Sequence, residues 1–255
     1  MKLISSKEND LIKQIHSLSV KKYREQFGLF VLEGEKVCKE TLINFKSRVV
    51  QVVIRQGAEE KFEAEVCGLD CIAVTSEVFN FLSSTVEPQD IMLVVKANYS
   101  ELENCSSNNV LVLDRVQDPG NVGTIIRSAI ASGFYDIVLI NCADPYSDKV
   151  IRSASGTILI AKLYKSTTEN FIDFCKRKNY NIIIAEANKK SIFDKSLVIP
   201  SSYALVIGNE GRGVSDEIKS KKALSVSIPM DIRVESLNAG VSASILMFLL
   251  NNKEK

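Results

Sequence analysis

The segment from Ser227 to Phe248, SIPMDIRVESLNAGVSASILMF, determines the architecture that we expect for the rest of this chain. Its pattern predicts a short apolar strand that ends at Pro229, then a polar loop, and then an apolar helix. Ser236 and Asn238 lie where that helix should begin, so their side chains are expected to cap free backbone N–H groups. Small residues then follow at Ala239, Gly240, Ser242, Ala243 and Ser244. Because a surface helix favours larger residues, this run predicts that another backbone segment packs closely against it.

Composition restricts the class of protein to which the chain belongs. Its 255 residues are 45% hydrophobic and 25% charged, which is typical of a folded globular protein. No apolar run is long enough to cross a membrane, and the first residues lack the apolar core of a secretory signal, so we expect a cytoplasmic protein. Six scattered cysteines and the single histidine, His16, form no recognisable metal site. Catalysis is therefore expected to use neither a histidine base nor a protein-bound metal.

Charge is distributed unevenly along the chain, although its formal net value is only +1. Residues 1–50 contain ten basic and six acidic residues, a net charge of +4. Within them, Lys21-Lys22-Tyr23-Arg24 places an aromatic ring among cations, a combination that suits a phosphate backbone and a stacked base. The same cluster is equally compatible with a solvated helix end that binds nothing.

Alternation of apolar strands and helices predicts two α/β domains. Residues 1–97 are expected to form the smaller one, and residues 98–109, NYSELENCSSNN, are polar and aperiodic, as is typical of a linker. Over residues 110–255, continuous apolar strands alternate with helices, which predicts a mostly parallel sheet with crossover helices. Ligands of such sheets bind beyond the carboxyl ends of the strands, where the polar and glycine-rich segments of this sequence fall.

Three of these segments contain the residues expected to carry chemistry. The first, LDRVQDPGNVGTIIRSAIASG at 113–133, has Asn121 at the start of a predicted helix and Arg127 further along it. The second, VIGNEGRGVSDEI at 206–218, runs from a strand into three glycines with Glu210 among them. The third is the segment described first. Taken singly, each is compatible with a capped helix or a glycine-rich turn, and none is a dinucleotide fingerprint or a lysine-containing phosphate loop.

Together, the three segments resemble the motifs of the SpoU (TrmH) branch of the SPOUT RNA methyltransferases. The matching elements are N-x-G-x-x-x-R in the first, G-N-E-x-x-G in the second, and I-P-M followed by S-L-N in the third. This resemblance covers residues 108–250 and implies an α/β fold whose C-terminal, mostly parallel sheet carries a trefoil knot. A second resemblance, through FVLEGEKVCKETL, relates residues 1–97 to the RNA substrate-binding domain, of ribosomal-protein-like fold, that often precedes the catalytic domain.

The resemblance implies an activity. Members of this family transfer a methyl group from S-adenosylmethionine to a ribose 2′-hydroxyl of ribosomal or transfer RNA, and they form homodimers through the knotted region. The amino-terminal domain favours ribosomal RNA over transfer RNA, and neither a membrane nor a metal is expected as a partner. By their positions in the motifs, the residues that would hold the cofactor, mainly through backbone groups, are Gly208, Ile228, Met230, Leu237 and Asn238, with a further contact near residues 185–187.

Catalytic roles follow from the same resemblance. Arg127 would either remove the proton of the 2′-hydroxyl or bind the RNA phosphate and stabilise alkoxide charge. A guanidinium rarely deprotonates in a protein, which argues against the first role. Asn121 would orient the ribose or Arg127, and Glu210 would pair with Arg127 or with an arginine of the partner subunit. Ser236 and Asn238 would fix the hydroxyl and the cofactor.

Two other functions are compatible with part of the pattern. The first is an RNA-binding module of the same fold that lacks transferase activity, which would not need all five predicted catalytic residues. The second is a dinucleotide-dependent oxidoreductase, which needs a glycine fingerprint and an acidic residue about 20 residues later, and the first strand–helix turn lacks both. Binding of S-adenosylmethionine rather than a nicotinamide cofactor would distinguish these alternatives.

Overall fold

The computed structural model describes residues 1–253 and, in that range, contains eleven strands and ten α-helices. The strands are β1 Lys2–Ile4, β2 Leu29–Glu33, β3 Val49–Arg55, β4 Cys71–Val74, β5 Ile91–Lys96, β6 Asn109–Asp114, β7 Asp136–Ile140, β8 Lys162–Ser166, β9 Asn181–Ser191, β10 Tyr203–Ile207 and β11 Leu224–Ser227. The helices are α1 Asp10–Ser17, α2 Lys21–Phe27, α3 Glu35–Asn44, α4 Glu63–Val66, α5 Ser76–Leu82, α6 Pro119–Ser132, α7 Asp148–Ala154, α8 Thr168–Lys178, α9 Asp216–Lys219 and α10 Ala239–Lys253. Within this range, none of the helices has the length and apolarity that a membrane span requires.

The chain forms two compact units, each with its own sheet. Unit 1 comprises Met1–Asn98 and Tyr146–Leu159, and unit 2 comprises Tyr99–Pro145 and the chain from Ile160 onward. The predicted division differs in two respects: it assigned all of residues 110–255 to the second domain, and it made residues 98–109 a linker, whereas unit 2 already begins at Tyr99. In the structure Tyr146 anchors the α7 segment to unit 1: its hydroxyl donates to the carbonyl of Asn98 at 2.8 Å and accepts from that residue's amide at 2.9 Å.

Unit 1 is built on a five-stranded mixed sheet with the strand order β1-β4-β3-β5-β2. Strand β5 is buried at five of its six positions and pairs antiparallel with both β2 and β3. Helices α1 and α5 cover one face of the sheet, where Ile12, Ile15 and Phe79 join Val53 and Met92 in one apolar cluster. The unit is therefore a small α/β fold, as the sequence predicted.

The predicted cationic cluster lies on α2, a short helix that the sequence reasoning did not identify. Arg24 belongs to the fold, because it is buried and its guanidinium donates to two main-chain carbonyls of the preceding turn at 2.6 and 2.8 Å. Lys22 Nζ lies 5.8 Å from the centroid of the Tyr23 ring, which stacks against Phe27 at 6.3 Å. Both rings are partly exposed, so the cluster retains a cationic and aromatic surface without Arg24.

Unit 2 is built on a six-stranded sheet with the order β11-β9-β10-β6-β7-β8, and neighbouring strands pair in parallel throughout this order. Strands β7 and β10 are buried at every position, and β6 at all but the first. Burial on both faces explains their continuous apolar sequences and confirms the prediction of a mostly parallel sheet. The apolar sequence of residues 157–163 also predicts a strand, and this prediction is wrong. Thr157–Leu159 forms a 3₁₀ turn, and β8 begins only at Lys162.

Side chains cap the amino-terminal ends of helices α6 and α10. Helix α6 begins at Pro119, and its cap is the carboxylate of Asp118, which accepts from the amide of Asn121 at 2.8 Å. Helix α10 is capped by Asn238, whose Oδ1 accepts from the amides of Gly240 and Val241 at 2.9 and 3.2 Å. The prediction for Asn238 is therefore confirmed, whereas Ser236 lies two residues earlier, in the loop before the helix.

Helices α6 and α10 pack closely against each other, as the run of small residues predicted. A Cβ added at Gly240 would lie 3.2 Å from the Thr124 methyl carbon, tighter than most Cβ contacts. One turn further, the hydroxyl of Ser244 donates to that of Ser128 at 2.7 Å. Small side chains on α10 thus bring its backbone close to α6, the helix that contains Asn121.

Gly208, directly after β10, is required by the backbone around it. A Cβ there would lie 2.2 Å from both the carbonyl carbon of Gly213 and the amide nitrogen of Val214. The loop between them folds back on itself, with paired main-chain hydrogen bonds of 3.0 and 2.9 Å between Asn209 and Gly213. A glycine at this position lets its backbone approach either a ligand or another loop. In the structure the close contact of Gly208 is with the loop.

This contact predicts that Gly208→Ala destabilises unit 2. Because the obstacle is main chain rather than a flexible side chain, we expect the free energy of unfolding to fall by roughly 1–3 kcal/mol. Gly211→Ala in the same loop is the matched control, since its Cβ would meet nothing nearer than 3.8 Å. The control should change stability by less than about 0.5 kcal/mol. Equal effects of the two variants in denaturant unfolding would contradict the proposed crowding at Gly208.

Candidate active site

The ends of β10 and β11, with the middle of β9, border one cavity of unit 2, here called the motif cavity. It has a volume of about 630 Å³, within the range of roughly 300–1,000 Å³ that is usual for small-ligand sites. Three segments line most of it, residues 185–187, 207–214 and 236–239. The second and third motifs therefore meet here, as expected for a parallel sheet whose loops share one edge.

All the residues predicted to hold a cofactor line this cavity. They are Gly208, Ile228, Met230, Leu237 and Asn238, together with the predicted further contact at residues 185–187. Of the predicted catalytic residues, Glu210, Ser236 and Asn238 also line it. Asn121 lies outside the lining but binds two of those three side chains. Arg127 is exposed on α6, six residues after Asn121, which is about 9 Å further along a helix axis.

The side-chain amide of Asn121 connects the three motifs. Its Nδ2 donates to Oε1 of Glu210 at 2.9 Å, and its Oδ1 accepts from Nδ2 of Asn238 at 2.8 Å. Asn121 is only 8% exposed, whereas Glu210 and Asn238 are exposed, so both hydrogen bonds are partly shielded from water. Because Glu210 can only accept, the orientation of both amides is fixed, and this arrangement of three side chains is called the Asn121 relay below.

Glu210 is held in the relay by more than Asn121. Its carboxylate also accepts from the backbone amides of Asp118 at 3.1 Å and Gln117 at 3.3 Å. Burial opposes ionisation, but hydrogen bonds from Asn121 and from backbone amides outweigh it and hold the pKa of Glu210 below its usual value. The sequence predicted Arg127 or an arginine of the partner subunit as its partner. Within the described residues the hydrogen bonds of this carboxylate come from amide groups, and pairing with an arginine of the partner subunit stays a prediction. A carboxylate that accepts several N–H groups joins two loops without needing a cation.

The structure adds a charged pair to the motif cavity that sequence reasoning missed. Glu186 and Lys219 both line it, with 3.3 Å between Oε1 and Nζ, and Ser225 Oγ donates to the other carboxylate oxygen at 2.7 Å. Burial opposes ionisation of Glu186, but the hydrogen bonds from Ser225 and Lys219 lower its pKa below the usual value. The available signal was an acidic residue within the apolar strand sequence NIIIAEA. Lys219 lies on α9, a helix that was not predicted.

The chemistry of the lining suits an organic ligand with an apolar ring and polar substituents. Ile228, Met230 and Leu237 contribute apolar side chains, while Glu186 and Lys219 contribute opposite charges. The loops around Gly208 and Leu237 expose main chain to the cavity, which provides hydrogen-bonding groups of fixed direction. Among residues 1–253, no group of three His, Cys, Asp or Glu side chains is arranged to hold a metal ion.

Comparison with protein families gives matches for both units. Residues 108–248 match the SpoU rRNA Methylase family, and residues 9–93 match the MRM3-like substrate binding domain. The chain is 30% identical to the 23S rRNA (guanosine(2553)-2′-O)-methyltransferase RlmP of Bacillus subtilis, across 98% of this chain and 99% of that protein. It is 27% identical to an uncharacterized tRNA/rRNA methyltransferase of Synechocystis, across 96% and 92%.

Solved structures have the same fold. The AdoMet-bound rRNA methyltransferase from Sinorhizobium meliloti superposes with a TM-score of 0.87 at 26% identity, across 99% of this chain and 98% of that one. The SpoU methyltransferase AviRb from Streptomyces viridochromogenes, in complex with AdoMet, gives a TM-score of 0.84 at 22% identity, across 97% and 98%. The second match, at its lower identity, is a likeness of fold alone.

The lowered pKa of Glu210 predicts a pH-dependent contribution to stability. A carboxyl whose folded pKa is depressed stabilises the protein above its unfolded pKa, near 4.5, and loses that contribution as the pH falls through the folded value. The difference in unfolding free energy between the wild type and Glu210→Gln should therefore be largest at neutral pH and shrink below about pH 4.5. Glu217→Gln, which removes an exposed carboxylate from α9, is the matched control in denaturant titrations. A difference for Glu210→Gln that is constant from pH 7 to pH 3.5 would contradict the assignment.

Proposed function

The chain belongs to the SpoU rRNA methylase family, and on that premise we propose that its motif cavity and the Asn121 relay form the site of ribose 2′-O-methylation in ribosomal RNA. S-adenosylmethionine is the cofactor of this family, and the protein is an RNA methyltransferase. The observation that carries the site assignment is the single amide of Asn121, which joins all three motifs beside one cavity. We also propose a cytoplasmic location, because the relative from Bacillus subtilis acts on ribosomal RNA.

The motif cavity fits S-adenosylmethionine in volume and in chemistry. We assign the apolar side chains of Ile228, Met230 and Leu237 to the purine ring and the Glu186–Lys219 pair to the polar substituents. When bound, the cofactor supplies a methyl group already activated on a sulfonium. Gly208 keeps the neighbouring loop folded back at the edge of the site.

The residues of this chain then have to position the ribose and accommodate the loss of its proton. The Nδ2 and Oδ1 atoms of Asn121 are both already hydrogen-bonded. Its proposed role is therefore to position Glu210 and Asn238 rather than to bind the ribose. Ser236, in the loop that lines the cavity, is proposed to hydrogen-bond the 2′-hydroxyl. Arg127 is exposed and a guanidinium rarely deprotonates, so we assign it to phosphate binding and stabilisation of alkoxide charge rather than to proton removal. The proton of the 2′-hydroxyl then passes to solvent water as the oxygen takes the methyl group from the sulfonium.

Ribosomal RNA is the proposed substrate class because of unit 1. Its match is to a substrate-binding domain, and it presents the surface formed by Lys22, Tyr23 and Phe27. Exposed aromatic rings stack on unpaired bases, and lysines contact phosphates, so this surface suits structured RNA with unpaired positions. The relative from Bacillus subtilis acts on 23S rRNA, which supports the large-subunit RNA over transfer RNA.

A homodimer and a trefoil knot in unit 2 are further parts of the proposal. Helix α10 exposes Val241 and Phe248, each nearly half accessible and seven residues apart, and exposed apolar side chains at helical spacing suit a protein partner. Light scattering should give twice the chain mass, and Val241→Glu with Phe248→Glu should give the monomer. Val198→Glu, at an exposed apolar residue outside α10, should stay dimeric. A wild-type monomer would contradict the dimer.

The direct test of the function is methyl transfer from labelled S-adenosylmethionine. Ribosomal and transfer RNA pools are taken from cells that lack this protein, and each is incubated with the wild type. We expect label in the ribosomal pool only, at a nucleotide whose 3′ phosphodiester resists alkali because its 2′-oxygen is methylated. Label in the transfer RNA pool would overturn the substrate class. Cofactor binding without label in either pool would favour the inactive RNA-binding module.

Arg127→Ala tests the proposed role of that residue in the same assay. Loss of a group that stabilises developing charge lowers turnover by about 10²–10³-fold, while cofactor affinity should not change because Arg127 does not line the motif cavity. Arg177→Ala removes an exposed arginine from α8 of the same unit and is the matched control. Full turnover and full RNA affinity in Arg127→Ala would contradict the assignment.

A further inference from the structure

A second cavity of unit 2 contains two arginines and no assigned function. It has a volume of about 390 Å³, is here called the arginine cavity, and is lined by Arg115, Gln117, Asn141, Asn209 and Arg212. We propose that it binds a phosphodiester group of the substrate RNA, at a nucleotide neighbouring the one that is methylated. This inference rests on the proposed function and names a contact separate from the one assigned to Arg127.

The guanidinium of Arg115 is held by a carboxylate that has no contact with solvent. Asp114 is fully buried at the end of β6, where its Oδ2 accepts from the amide of Ser215 at 2.6 Å. Its Oδ1 lies 3.3 Å from Nε of Arg115 as an ion pair. Neither of those two buried atoms has a hydrogen-bond partner in the part of the chain that the structure describes. The buried charge of Asp114 therefore holds the Nε side of the arginine by attraction, and the same residue lines the cavity.

The acceptor groups that border the arginine cavity are covered by amide donors. Gln117 Nε2 donates to the carbonyl of Asn141 at 2.6 Å, and Asn209 Nδ2 donates to the carbonyl of Arg115 at 2.9 Å. Uncovered carbonyl oxygens would repel a phosphate, so engaging these two removes part of that repulsion beside the two guanidinium groups. Arg212 lies on the loop after β10 and supplies the second cation of the cavity.

Two of the residues that line this cavity hold left-handed backbone conformations that glycine would adopt more easily. Arg115 has φ of 61° and Asn141 has φ of 49°. A left-handed backbone costs a long side chain more than it costs asparagine or glycine, so an arginine at position 115 suggests that its side chain is needed. Backbone strain of this kind is retained at sites where the position of a side chain matters more than stability.

The arginine cavity adjoins the motif cavity, since Asn209 and Arg212 line both. Gln117 also joins it to the Asn121 relay, because its backbone amide donates to Glu210 at 3.3 Å. A phosphate held here would therefore lie beside the loops that position the ribose. Bidentate binding by arginine fixes orientation as well as affinity, which is what an in-line methyl transfer requires of its nucleophile.

The test measures binding of purified 23S ribosomal RNA by Arg115→Gln and Arg212→Gln at several salt concentrations. Each variant should weaken RNA binding by about 5- to 100-fold. The slope of log affinity against log salt should become shallower by about 0.7–0.9 for each lost phosphate contact. Affinity for S-adenosylmethionine should be unchanged for Arg115→Gln. Arg177→Gln, which removes an exposed arginine from α8, should change neither the affinity for RNA nor the slope.

Arg115→Gly separates a binding role from a structural one. Both variants leave the buried carboxylate of Asp114 without its ion pair, but glycine also relieves the left-handed backbone. The midpoint of thermal unfolding should therefore fall less in Arg115→Gly than in Arg115→Gln, while RNA binding weakens equally in both. A lowered midpoint with wild-type RNA affinity would overturn the inference and make Arg115 structural. Weakened binding with an unchanged salt slope would also overturn it, because the lost contact would then be to a base. These binding measurements need no turnover, so a wild type inactive in methyl transfer would overturn the proposed function and leave this inference to be judged separately.

Discussion

The side-chain amide of Asn121 is the interaction on which the rest of the site depends. It has one donor group and one acceptor atom, and it uses the first for Glu210 and the second for Asn238. These partners are 89 and 117 residues away in sequence, so one buried amide fixes the relative positions of three distant loops. Loss of either partner is costly, because Asn121 is 8% exposed and a buried polar group left unsatisfied costs about 1–3 kcal/mol.

The scaffold is arranged to keep that amide in place. The Asp118 carboxylate accepts from the backbone amide of Asn121, and the small residues of α10 let this helix pack against α6, on which Asn121 lies. Gly208 allows the loop of Glu210 to fold back on itself at a distance that a Cβ would prevent. The features that stabilise unit 2 are therefore the same ones that bring the relay together, and substitutions in the scaffold are expected to affect the site.

Much of this architecture was predictable from sequence because it depends on local patterns. Strands buried on both faces have continuous apolar sequences. Sequence patterns alone predict a strand over residues 136–140 and a helix over residues 168–178, and β7 and α8 have those bounds. The apolar run at 157–163 was misassigned because periodicity does not distinguish a short buried strand from a buried turn. The α7 segment could not be assigned to unit 1, since the contact of Tyr146 with Asn98 has no local signature.

The candidate site was predictable to a similar depth. Motif positions identified the residues that line the motif cavity, whereas the partners of each side chain needed the structure. Glu210 is an example, because its amide donors come from residues 117, 118 and 121, about ninety residues earlier in the chain. The arginine cavity was also invisible in the sequence. Its arginines follow different strands, and the formal net charge of +1 gives no indication of such a local concentration of positive charge.

We propose above all that three motifs, joined by Asn121, form one cofactor site. The measurement that tests it most directly is a crystal structure of this protein grown with S-adenosylmethionine. The account predicts electron density for the cofactor inside the motif cavity, bordered by Gly208, Ile228, Met230 and Leu237, with the Asn121 amide still bonded to Glu210 and Asn238. Cofactor density at another place on the protein, or an empty motif cavity at a saturating concentration, would contradict it.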